Sequence, residues 1–94
     1  MEVEWVLAAR THLDEITDGR AEWSEESARR LRADLLSRGA QLAEFPHSGR
    51  MIPEYQMEHL REVIEQGFRI MYEVFPDRIE VFGVVHSRRD AFGE

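Results

Sequence analysis

Residues 61–85 read REVIEQGFRIMYEVFPDRIEVFGVV. Here Phe68, Ile70, Tyr72 and Val74 alternate with Arg69, Met71 and Glu73, and Ile79, Val81, Gly83 and Val85 alternate with Glu80, Phe82 and Val84. A period of two over runs of this length predicts strands with two distinct faces. Gln66-Gly67 and Pro76-Asp77 stand where turns are required. Strands over 61–65, 68–74 and 79–85 therefore form a three-stranded meander.

Upstream the period changes. Ala9, Leu13 and Ile16 fall at i, i+4 and i+7 and predict a helix near 8–20. Ser24 followed by Glu25 and Glu26 predicts an N-cap with acids in the first turn. The second helix runs near 24–44, with an apolar stripe of Ala28, Leu31, Leu35, Leu42 and Phe45 broadened by Leu36, and Phe45-Pro46 stops it. Residues 3–7 are β-branched and aromatic and predict a short first strand, while 46–60, rich in Pro, Gly, His and Met, reads as an irregular crossing segment. The order β-α-α-β-β-β predicts an α+β two-layer sandwich, a helical hairpin packed on one face of a four-stranded, mostly antiparallel sheet. Residues 1–94 are expected to make one domain, burying roughly 65% of the unfolded chain's surface. Trp5 and Trp23 are expected to fill the space between the layers, with partner anchoring as the alternative.

Composition excludes several chemistries. With no Cys there are no disulfides, thiolate metal sites or thiol nucleophiles. His12, His47, His59 and His86 are scattered without ligand spacing, so neither metal nor cofactor is expected. No apolar run is long enough to cross a membrane, and the acidic Met-Glu-Val-Glu start is unlike a signal peptide, so a cytoplasmic location is expected. Nineteen acids against twelve bases give a net charge of −7, which opposes broad nucleic-acid binding. Every base is Arg and none is Lys, so no amine is available for proton transfer or Schiff-base chemistry.

The candidate functional residues are Arg61, Arg69, His86, Arg88 and Arg89. Convergence of these at one end of the sheet would let guanidiniums grip phosphates or carboxylates bidentately. The alternative pairs each Arg with an acid such as Glu62, Glu73 or Asp90. His86 is the one titrating side chain among them. Ser24 and Ser48 lack the neighbouring base that a nucleophile requires.

These elements resemble the RelE/ParE superfamily of toxins from bacterial type II toxin-antitoxin modules. The resemblance runs from Ala9 to Asp90 and rests on four ordered pieces: Ala9…Leu13…Ile16; Leu42-x-x-Phe45-Pro46-x-x-Gly49-Arg50-x-x-Pro53-Glu54; Arg61-Glu62 followed by Phe68-Arg69-Ile70-x-Tyr72; and Val84-x-His86-x-Arg88-Arg89-Asp90. The second and last pieces are most similar to the ParE branch. The resemblance implies a plasmid-stabilising toxin, neutralised by a ParD-like antitoxin and inhibiting DNA gyrase by binding through Arg61, Arg69, His86, Arg88 and Arg89. It also implies two alternatives: a RelE-like ribosome-dependent mRNA endoribonuclease using His86, Arg61 and Arg69, or a non-toxic, antitoxin-binding relic. Ribonucleases of this superfamily typically carry several strand lysines or a Glu-Arg-His set, and often a Tyr near the C-terminus. This chain has no Lys, and Phe92 is its C-terminal aromatic residue. Binding rather than catalysis is therefore the expectation.

Overall fold

The computed structural model describes residues 1–88. Strand β1 (Glu2–Trp5) leads into helices α1 (Leu7–Ala21) and α2 (Glu25–Ala40), and a 3₁₀ turn (Gln41–Ala43) follows. Strands β2 (Arg50–Met51), β3 (Leu60–Glu65), β4 (Phe68–Val74) and β5 (Arg78–His86) complete the order. The sheet runs β1-β5-β4-β3-β2, with β1 parallel to β5 and every other pair antiparallel. The sandwich of helical hairpin and sheet is the predicted one, with five strands instead of four. The extra strand, β2, lies in the segment read as irregular. Two residues carry no periodicity, and Arg50 and Met51 are strand only because β3 offers them a ladder, opposite Glu62 and Arg61.

Local chemistry sets the element ends. The Ser24 hydroxyl accepts from the Ser27 N–H at 3.1 Å, capping α2 as its sequence predicts. Gln66 and Gly67 both take positive φ, 51° and 83°, which gives a two-residue turn the twist that β3 and β4 require. Between β4 and β5 the register shifts at Met71/Tyr72, leaving Phe82 as the extra residue of a bulge. Beyond Trp5 the edge of β5 is no longer covered by β1, and His12 of α1 takes over: its Nδ1 accepts the Val84 N–H at 3.2 Å.

The core lies between the helices and one sheet face. Ala9 and Leu13 of α1 and Leu31 and Leu35 of α2 meet Val63, Ile70, Tyr72, Ile79, Val81 and Val84, with Leu42 sealing one side. Trp5 lies against α2 so closely that a Cβ on Gly39 would sit 2.7 Å from its ring. Three expectations fail here. Trp23 does not fill the interlayer space but stands 90% exposed at the helical turn. Leu36 is exposed, one residue off the buried stripe of Leu31 and Leu35. Phe45 is exposed because the helix gives way to the tighter 3₁₀ turn after Ala40 and the stripe loses its register. Among the described residues no helix is long and apolar enough to cross a membrane.

Candidate functional site

Register decides which of the five residues meet. Side chains directly opposite across a ladder share a face. Arg61 lies opposite Tyr72, on the face the helices cover, whereas Arg69 lies opposite Ile64 and Val85, on the other face. Three residues of strand, about 10 Å, also separate their levels. The two guanidiniums therefore do not converge.

Each is held by a different structural knot. The Arg69 side chain is 6% exposed and donates from Nε to Glu62 Oε1 at 2.6 Å. Its Nη1 and Nη2 grip Glu54 in a fork, at 3.0 and 2.8 Å. Glu62 is completely buried, and its second oxygen accepts from Arg50 at 2.6 Å. Two guanidiniums and two carboxylates cancel, which is the condition for keeping charge out of water. The bond from Arg69 holds the Glu54 carboxyl below the usual carboxylate range, against the opposing effect of burial. Glu54 in turn pushes the Arg69 guanidinium above its ordinary value, again more strongly than burial opposes it.

On the helix side, Arg61 donates from Nη1 to the Gly49 carbonyl at 2.8 Å and from Nε to the Glu58 carbonyl at 2.9 Å. Tyr72 Oη accepts the Gly49 N–H at 3.0 Å and donates to the Pro46 carbonyl at 2.8 Å. Burial pushes the Tyr72 phenol up. Position 49 has to be glycine, because a Cβ there would lie 2.5 Å from the Glu62 carbonyl oxygen and 2.7 Å from Tyr72 Oη. Pro46, Gly49, Arg50, Glu54, Arg61, Glu62, Arg69 and Tyr72, all residues of the quoted motifs, are thus partners of one another.

His86 ends β5 opposite Phe68, whose ring it meets edge-on at 5.4 Å. Its Nδ1 accepts the Arg88 N–H at 3.1 Å, leaving Nε2 as the outward nitrogen. Ser87 N–H donates to the Gly67 carbonyl at 2.7 Å, tying the strand end to the β3–β4 turn. His86 and Arg88 are exposed, and among the described residues the Arg88 guanidinium has no acidic partner. Arg89 and Asp90 lie outside the described residues. This strand end combines one imidazole with positive charge, chemistry suited to gripping an acceptor-rich surface. The Tyr72 hydroxyl is committed to Gly49 and Pro46 in the interior, and among the described residues no three His, Asp or Glu side chains gather as metal ligands would.

The roles of Arg50, Glu54 and Gly49 escaped residue-by-residue reading. Their one signal was that Arg and Glu recur together within the motifs, as Arg50 with Glu54 and Arg61 with Glu62.

Comparison with known proteins fits this arrangement. A solved chain described as "Chromosomal ParDE TA system from P. aeruginosa" shares the fold with a TM-score of 0.77 at 20% identity, over 92% of this chain and 95% of that one. No curated protein matches the sequence. A family model described as "ParE toxin of type II toxin-antitoxin system, parDE" matches residues 3–91. With that match spanning nearly the whole sequence, the chain belongs to the ParE toxin family of type II toxin-antitoxin systems.

Proposed function

We propose that this chain acts in the cytoplasm as a toxin that inhibits DNA gyrase by binding it, and that a ParD-like antitoxin neutralises it. Family membership and the likeness to a chain of a ParDE system support both the target class and the antitoxin. The contact surface in this reading is the end of β5, with His86, Arg88 and Arg89 touching the target. Arg61 and Arg69 contribute by holding the β3–β4 hairpin that carries it.

The observation that supports this reading is the make-up of the strand end, where the described candidates are one imidazole and one unpaired guanidinium. Cleaving a phosphodiester requires proton transfer at both the attacking and the leaving oxygen, each worth ~10²–10⁴-fold. Of the described candidate residues there, His86 and Arg88, the imidazole alone suits proton transfer, since guanidiniums supply charge but not protons. Blocking an enzyme requires only a complementary surface.

A gyrase supercoiling assay run beside a translation-coupled mRNA cleavage assay tests the proposal. Inhibition of supercoiling without cut mRNA is expected. Replacing Arg88 and Arg89 by Ala should weaken inhibition about tenfold or more, as loss of two charged contacts does, with His86→Ala having the smaller effect. Ribosome-bound mRNA cut by the wild-type chain and spared by His86→Ala would replace this reading with the RelE-like ribonuclease.

A further inference from the structure

The helical turn holds a feature that neither the core nor the β5 end uses. Trp23 is 90% exposed, an unusual position for the largest apolar side chain in a small domain. Beside it lies a shallow recess lined by Gly19, Arg20, Trp23, Ser24 and Ser27. Gly19 sits one turn before Trp23, inside α1, and a Cβ built on it would meet nothing within 4 Å. Neither packing nor backbone conformation asks for glycine there, and within a helix it costs stability relative to alanine. Without a side chain at position 19, the recess between Gly19 and Trp23 stays unfilled.

The charges around the recess select the occupant. Glu22, Glu25 and Glu26 flank Trp23 in sequence, Arg20 is the charged residue on the recess itself, and Asp18 and Glu25 line the adjoining recess together with Arg29 and Arg32. Arg20 is turned onto the Ser27 hydroxyl at 3.1 Å, and Glu26 pairs with Arg30. Asp18, Glu22 and Glu25 form no ion pair among the described residues. A nucleic-acid phosphate is repelled by this surface. So is the same tip of a second copy. An arginine suits both halves of the surface, because its guanidinium stacks on an indole and pairs with the flanking carboxylates.

We propose that the tip of the helical hairpin, at Trp23 and Gly19, is a docking surface for a basic segment of a partner protein, with an arginine stacked on the exposed indole. The surface is built from α1 and α2, so it stands independently of the gyrase reading and of the β5 end.

The test is a titration of the ¹⁵N-labelled full chain with a tetra-arginine peptide, with tetra-lysine and tetra-glutamate peptides as comparisons. Saturable shifts are expected at the Trp23 indole N–H and at the Gly19, Ser24 and Ser27 amides. Tetra-lysine should bind about fivefold more weakly, the difference between a stacking guanidinium and a hydrated ammonium, and tetra-glutamate should not bind. Trp23→Ala removes an exposed side chain, so the fold persists while affinity falls about tenfold. Gly19→Leu fills the recess with a better helix former, so affinity should fall while the spectrum stays folded. Equal binding of all three peptides, or unchanged binding in Trp23→Ala or Gly19→Leu, overturns the proposal. Trp23 shifts that follow protein concentration without peptide also overturn it, in favour of a self-association surface.

Discussion

Glu62 is the residue on which the outer face of the sheet turns. Its carboxylate is fully buried and held by Arg69 and Arg50. Arg69→Met keeps the bulk but leaves that buried charge with Arg50 as its one remaining cation, and should lower stability by about 3 kcal/mol, readable by urea denaturation. Adding Glu62→Leu to it should recover part of the loss, since the cost lies in a buried carboxylate left with half its partners and not in the missing pair itself. Glu54 gives the pH dependence. Its carboxyl is held below the usual range in the folded state, so the unfolded chain takes up its proton first as pH falls. The stabilisation from Glu54 is therefore complete above the ordinary glutamate range and disappears as pH drops through the depressed folded value. Glu54→Gln should be less stable than wild type at neutral pH, with the gap closing under acid in thermal melts across the pH range. The opposed faces of Arg61 and Arg69 are legible in the sequence itself. Once Gln66-Gly67 is taken as a two-residue turn, Glu65 must face Phe68, and Arg69 must face Ile64 instead of a neighbour of Arg61.

At the level of elements, alternation and helical spacing located both helices and all the long strands, because each carries enough residues to show its period. What stayed hidden was set by tertiary contact. β2 exists only as a partner of β3, and the crossing segment is ordered before it by Tyr72 on Pro46 and Gly49 and after it by Glu54 on Arg69. Phe45 leaves the apolar stripe because the chain tightens at Gln41–Ala43, a change of pitch that apolar spacing does not signal. α1 yields a prediction of the opposite sign from most substitutions. Gly19→Ala should raise stability by about 0.5–1 kcal/mol, since the added methyl meets nothing and the backbone is already helical. Gly49→Ala, in contrast, drives a methyl into a carbonyl oxygen and a phenol, and should cost about 1–3 kcal/mol or prevent folding. Measuring both variants by thermal melt sets the two glycines side by side.

The whole molecule carries −7, and part of that charge is concentrated on the sheet face away from the helices. Glu4 lies opposite Glu80, and Glu80 opposite Glu73, a row of like charges across three strands. Arg78, paired with Glu80 at 3.0 Å, offsets the row in part. Like charges directly opposite one another oppose folding, and salt screens them. The chain should therefore melt at a higher temperature in 0.5 M than in 0.05 M sodium chloride, by roughly a few degrees, given that ~1 kcal/mol moves a domain this size by ~4–8 °C. The same field predicts no shift of duplex DNA by the free chain in a gel at about 0.15 M salt. The interlocked motif residues have a consequence for evolvability. Pro46, Gly49, Arg50, Glu54, Arg61, Glu62, Arg69 and Tyr72 constrain one another, so single changes among them are selected against as folding defects whatever the toxin attacks. The exposed end of β5 hangs outside that constraint and is free to drift. If that end makes the proposed contact, a lineage built this way can exchange one victim for another through a handful of surface substitutions, while its fingerprint records only the ancestry of its scaffold.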